Sequence, residues 1–144
     1  MYSALDIAEY IVNRCALGED PISNLQLQKI LYYIQLNFLK RFNRCAFNDK
    51  IEAWRHGPVV KDVYKRYNIF GRHCIIPFVA NDNSSKFKSQ DKEFIDQVID
   101  VCTRLEPWEL VDRSHTKGGP WDQTFDGTFD KEIPVEVMRE YVQK

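Results

Sequence analysis

The chain has 144 residues and a mass of 17.0 kDa, is 44% hydrophobic and 28% charged, and carries a formal net charge of -1 with pI ≈ 6.3. That length fits one domain, residues 1–144, and that balance excludes both a disordered majority and a global electrostatic pull toward nucleic acid or an anionic membrane. A mean hydropathy of -0.46, no apolar run near the ~20 residues a spanning helix needs, and no basic-then-apolar leader at M-Y-S-A-L-D point to a cytoplasmic protein.

Ser3 followed three positions later by Asp6 reads as a capping box, and Leu5, Ala8, Ile11, Val12, Cys15 and Ala16 recur at helical spacing until Gly18. A first helix is predicted over residues 4–17. Ser23 and Gln26 repeat the capping arrangement and open a longer helix to about Phe42. Its apolar set, Leu27, Ile30, Leu31, Tyr33, Ile34, Phe38, Leu39 and Phe42 with Leu25 and Tyr32 added, covers most of the circumference. Such a helix belongs in the middle of a domain or at an interface.

Residues 43–50 form a polar connection with an Asn48-Asp49 turn signal, and residues 51–54 a short extended piece. Gly57 supplies backbone freedom and Pro58 suits a first helical turn. A third helix is therefore expected from Pro58 to about Phe70, with Val60, Val63, Tyr64 and Tyr67 inward, Lys61, Lys65 and Arg66 outward, and Gly71 as its stop. Residues 74–79 read as a brief β-like stretch weakened by Pro77, and residues 81–88, N-D-N-S-S-K-F-K, as a mobile loop. Ser89 is placed as the cap of a fourth helix whose stripe of Phe94, Ile95, Val98, Ile99, Cys102 and Leu105 has the cleanest period in the chain. Glu106-Pro107 restarts the chain into a short helix with Trp108, Leu110 and Val111, residues 115–121 form a loop, and a last helix runs from about Pro134 to Val142. The expected fold is a mostly α single domain of about six helices packed around the second, with at most a small two-stranded β ribbon near Ile51 and Ile75.

Cys15, Cys45, Cys74 and Cys102 include no C-x-x-C pair, and with His56, His73 and His115 they show no local zinc-ligand spacing. They read as small hydrophobes, and neither a metal nor a cofactor is expected. Gly118-Gly119 precedes Pro120 and not a helix-opening Lys-Ser or Lys-Thr, so it is no phosphate loop.

His56 with His115, supported by Asp112 or Asp122 and with Ser114 adjacent, is the set a histidine-dependent or metal-dependent hydrolase would use. No strained nucleophile turn of the G-x-S-x-G kind accompanies it, and a histidine bonded to a backbone group near a helix end explains His56 equally well. A nucleic-acid-binding regulator would need the basic set Lys40, Arg41, Arg44, Lys61, Lys65, Arg66 and Arg72 to converge. Interleaved with Asp49, Glu52 and Asp62, these residues read better as solvated helix faces. The many Trp and Tyr residues, Trp54, Tyr64, Trp108 and Trp121 among them, are of the type that anchors interfaces.

The runs S-N-L-Q-L-Q-K-I-L-Y-Y-I-Q (residues 23–35), I-E-A-W-R-H-G-P-V-V (51–60) followed by Val63-Tyr64, W-E-L-V-D-R-S-H-T-K-G-G-P-W-D (108–122) and I-P-V-E-V-M-R-E-Y (133–141) follow in order along nearly the whole chain. Together they resemble the Panacea domain of SocA-like antitoxins and of phage-associated GepA proteins. The stretch from Arg113 to Thr116 departs from the usual L-T-H form, leaving His115 and Pro120-Trp121 in place. The resemblance implies an antitoxin without catalytic activity, whose partner is a cognate protein toxin encoded beside it, and in the SocA branch an adaptor presenting the toxin to the ClpXP protease. No appended DNA-binding domain of the kind fused relatives carry is seen, so operator binding is not expected. The candidate partner-binding residues are Trp54, Arg55, His56, Gly57, Pro58, Lys61, Tyr64, Lys65, His115, Pro120 and Trp121, because rings set beside Gly-Pro turns make rigid anchors that lose little entropy on binding. The alternative is that the two segments only staple one another.

Overall fold

The computed structural model, which describes residues 1–77, 82–128 and 130–144, is mostly α. Its elements are α1 (Ala4–Leu17), α2 (Asn24–Phe42), β1 (Glu52–Trp54), β2 (Gly57–Val59), α3 (Lys61–Tyr67), α4 (Ser89–Thr103), α5 (Pro107–Ser114), α6 (Pro120–Thr124), β3 (Lys131–Glu132) and α7 (Val135–Gln143). No helix among the described residues is long and apolar enough to cross a membrane.

The second helix is the centre of the domain. α2 touches α1, α3, α4, α5, α7 and β2, and Leu27, Ile30, Leu31, Ile34 and Phe38 are fully buried along it. Both ends are specified locally. The Ser23 hydroxyl accepts from the Gln26 amide at 3.2 Å while the Gln26 side chain accepts from the Ser23 amide at 3.0 Å, and Asn43 ends the helix in the left-handed region at φ 53. Asn24, Gln28, Lys29 and Gln35 are buried on the same helix, and each bonds a backbone group of another part of the chain. Gln35 accepts from the Ala46 amide at 2.8 Å and donates to the Phe47 carbonyl at 3.0 Å, and Asn24 donates to the Tyr64 carbonyl at 3.1 Å. α2 thus supplies both the apolar core and the polar partners of the connection at residues 46–47 and of α3.

Three expectations are corrected. The ribbon has three strands in the order β2-β1-β3, and the segment at Ile75 is not one of them. Its amide instead donates to the Ile22 carbonyl at 2.8 Å, beside the Ser23–Cys74 bridge, while the part of that stretch at Phe78 and Val79 lies outside the described residues, as does Asn81 of the expected loop. Pro58 does not open a helix. It sits in β2, paired with Ala53, on an edge strand where its missing N–H costs no ladder bond, and α3 begins at Lys61. Ser89, finally, is the first residue of α4, and its N-cap is Lys88 with no side-chain cap bond.

Cys15 and Cys102 are buried, and desolvation pushes their thiols up to about 11 and about 12. On the flank where α1 meets α4, Tyr10 donates to Asp96 and Arg14 pairs with Asp100 at 3.0 Å.

Truncation at the centre of α2 tests this arrangement. Leu31→Ala or Ile34→Ala should cost roughly 2–5 kcal/mol in urea unfolding through cavity formation. Lys86→Ala, which removes only an exposed pair with Asp6, should cost at most about 0.5 kcal/mol.

Candidate partner-binding site

β1 and β2 form an antiparallel hairpin with Trp54 opposite Gly57, Ala53 opposite Pro58 and Glu52 opposite Val59, which leaves Arg55 and His56 as a two-residue turn. Gly57 holds φ 118, a conformation closed to other residues without strain. A Cβ there would also lie 2.7 Å from Lys29 Cε and 3.1 Å from Ser114 Oγ. The hairpin therefore sits directly on α2 and on the end of α5.

What it sits on is a buried amine. In an antiparallel pair, alternate residues turn their backbone groups away from the partner strand, and at Pro58 and Val60 those groups face α2. Lys29 Nζ donates to the Pro58 carbonyl at 3.1 Å, and Gln28 Oε1 accepts from the Val60 amide at 2.9 Å. Gln28 is held in turn by donating to Asn24 at 2.9 Å. Lys29 is 0% exposed, and no carboxylate among the described residues pairs with it.

The C-terminal motif grips the hairpin from the other side. α5 opens with a reciprocal Glu106–Glu109 capping box and Pro107 at its first position, ends at Ser114, and is followed by the turn into α6, where Pro120 again takes the first helical position. This delivers Trp121, 8% exposed, so that its indole N–H donates to the Trp54 carbonyl at 2.7 Å. The Trp121 ring stacks on Phe125 at 4.8 Å and meets His115 edge-on at 4.0 Å. His115 Nδ1–H donates to the Val111 carbonyl at 2.7 Å, and Nε2 lies 3.5 Å from the Arg55 carbonyl. Trp54 packs edge-on against Tyr64 of α3 at 4.9 Å and donates to Glu52 at 2.8 Å.

The sequence-predicted residues divide by exposure. Gly57, Pro58, Pro120 and Trp121 are buried inside the joint; Trp54, Tyr64 and His115 are half-buried; Arg55, His56, Lys61 and Lys65 are exposed. The first group holds the hairpin, and the last presents a surface. The Ser114 hydroxyl lies 3.3 Å from His115 Nδ1, but the pair is not set up as nucleophile and base. Ser114 is buried and donates to the Val111 carbonyl at 2.6 Å, and His115 Nδ1–H donates to the same carbonyl, so the nitrogen facing the hydroxyl carries a proton and has no lone pair to accept one. Asp122 accepts from the Gly118 amide at 2.9 Å. His56 stands at the exposed tip, and among the described residues no three His, Cys, Asp or Glu side chains converge as metal ligands.

Lys29 is the residue that sequence reasoning missed. The signal was present: a lysine inside a helix that is apolar nearly all round has no solvated face to occupy. Its acceptor, the Pro58 carbonyl, became visible only once Pro58 was placed in a strand.

Residues 27–122 match the family described as "Antitoxin SocA-like, Panacea domain". The chain is 34% identical over 130 residues to "Antitoxin SocA" of Caulobacter vibrioides (strain NA1000 / CB15N), an alignment covering 84% of this chain and 69% of that protein. No solved structure matches the chain.

Burial lowers the Lys29 ammonium from its ordinary 10.5 to about 7. Below about pH 7 folded and unfolded chains both carry the proton, and the full cost of a buried charge falls on the fold. Between about 7 and 10.5 the unfolded chain binds more protons than the folded one, so stability from this residue rises with pH. Urea unfolding of wild type and Lys29→Met on either side of about pH 7 checks this: wild type should gain on the variant as pH rises. A difference between the two proteins that does not change with pH would contradict it.

Proposed function

The chain belongs to the Panacea family of SocA-like antitoxins, and from that premise we propose that it neutralises a cognate protein toxin by binding it directly, with the β1–β2 tip as the contact. The observation that carries this reading is the contrast at the tip. The backbone of Trp54, Pro58 and Val60 is fixed by Trp121, Lys29 and Gln28, yet Arg55 and His56 are exposed. A surface already fixed in one geometry loses little entropy when a partner seats on it, and neutralisation by direct binding depends on affinity. The Ser114 hydroxyl and His115 Nδ1–H both donate to the Val111 carbonyl, which favours this reading over the hydrolase.

The toxin is expected from an adjacent gene. Delivery of the bound toxin to the ClpXP protease, which the family resemblance implies, is a separable step. An adaptor shortens the toxin's half-life in cells containing ClpX and not in cells without it, whereas an inhibitor leaves the half-life unchanged.

Co-expression with the neighbouring open reading frame tests the reading. That product should be toxic alone and tolerated beside this protein, and Arg55→Glu with His56→Asp should abolish protection while the purified variant melts as wild type does. Protection that survives the double variant would move the contact away from the hairpin tip. Absence of any toxic neighbour, together with substrate turnover by the purified protein, would overturn the antitoxin reading itself.

A further inference from the structure

On the flank where α1 meets α4 four cations are neutralised: Arg14 pairs with Asp96 and Asp100, Lys92 with Asp96, Arg44 with Asp91 and Lys86 with Asp6, while Lys88 and Arg104 at the ends of α4 stay outside these pairs. The cations around the hairpin are not neutralised. Arg55, Lys61, Lys65 and Lys117 are exposed and enter no ion pair among the described residues. Two carboxylates beside them are committed to neutral donors, Glu52 to the Trp54 indole and Asp122 to the Gly118 amide, and the exposed Asp62 of α3 forms no ion pair with Lys61 or Lys65 among the described residues.

These cations lie along one continuous tract. Lys61, Tyr64 and Lys65 share a face of α3 by their i, i+3 and i+4 spacing. The Tyr64 ring meets Trp54 at 4.9 Å, Arg55 follows Trp54 in the turn, the Arg55 carbonyl lies 3.5 Å from His115 Nε2, and Lys117 follows His115 by two positions. Two half-buried rings thus run between unpaired positive charges.

We propose that this tract receives an acidic segment of the toxin, whose carboxylates supply the counter-charges that the fold withholds; the proposal rests on the antitoxin reading. A protein partner fits better than a phosphate backbone. The half-buried Trp54 and Tyr64 edges suit side-chain packing, and the net charge of -1 gives no long-range attraction to nucleic acid. Charge complementarity of this kind sets partner choice and speeds encounter.

The test uses the full chain and the purified product of the neighbouring toxic gene, with affinity measured at low and at physiological salt. Lys61→Glu with Lys65→Glu should weaken binding roughly tenfold or more and flatten the salt dependence, Lys61→Gln with Lys65→Gln should fall between, and Lys86→Glu, outside the tract, should bind as wild type. Thermal melts of each variant confirm the fold. Binding unchanged in the Glu pair but lost in Arg55→Glu with His56→Asp would overturn the acidic partner and leave the antitoxin reading intact. No binding and no protection by wild type would overturn both. Tight salt-dependent binding of a DNA or RNA duplex that the Glu pair abolishes would overturn the proposal in favour of a nucleic-acid surface.

Discussion

A strand at the edge of a sheet and inside a domain has backbone groups that no water reaches, and each one left bare costs roughly 1–3 kcal/mol. β2 is such a strand. Its outward carbonyl at Pro58 and the following amide at Val60 are met by Lys29 and Gln28 of α2, so a helix supplies what a fourth strand would have supplied. Proline suits this position because one of the groups needing a partner is then absent. The choice of lysine has a cost, since a buried ammonium with one carbonyl partner is poorly solvated, and the lowered proton affinity of Lys29 is the expression of that cost.

The rest of the site follows from this seat. With the hairpin fixed from below by α2, Gly57 has to be glycine, because Lys29 and Ser114 fill the space a Cβ would take. The end of α5 and the start of α6 then close over the hairpin, and Trp121 reaches the Trp54 carbonyl. Three sequence-distant segments, from the runs at 23–35, 51–60 and 108–122, therefore make a single joint. What remains outside the joint is the turn with Arg55 and His56 and the adjoining face of α3. That remainder is exposed, whereas the buried members of the motifs hold it in position.

The ends of α2, the stop after α3 and the central role of α2 were legible because each has a local cause, whereas the starts of α3 and α4 were misplaced. Ser23 with Gln26 forms the capping box it reads as, Gly71 stops the turn after α3 at φ 58, and an apolar circumference can only be buried. Pro58 was misleading because a proline after glycine suits a helix start and an edge strand equally, and only the pairing partner decides. β3, with the sequence Lys-Glu, has no alternating apolar face, and its two residues pair with Ala53 and Glu52 through the backbone alone. Lys29 was hidden for a different reason: lysine ordinarily extends its charge to water, and the neutral carbonyl that takes its place belongs to a segment nearly thirty residues on. The side-by-side placement of the Trp54 and Trp121 segments rests on contacts distant in sequence, so no local pattern fixes it.

The central claim is that a hairpin tip, held rigid by α2 and by Trp121, is the surface a toxin meets. Amide hydrogen exchange of the protein alone and saturated with the neighbouring toxin measures this directly. The account predicts added protection at residues 54–57, at residues 116–118 and along α3, with α1 and α4 exchanging as before. Protection confined to α1 and α4, with the hairpin amides unchanged, would contradict it.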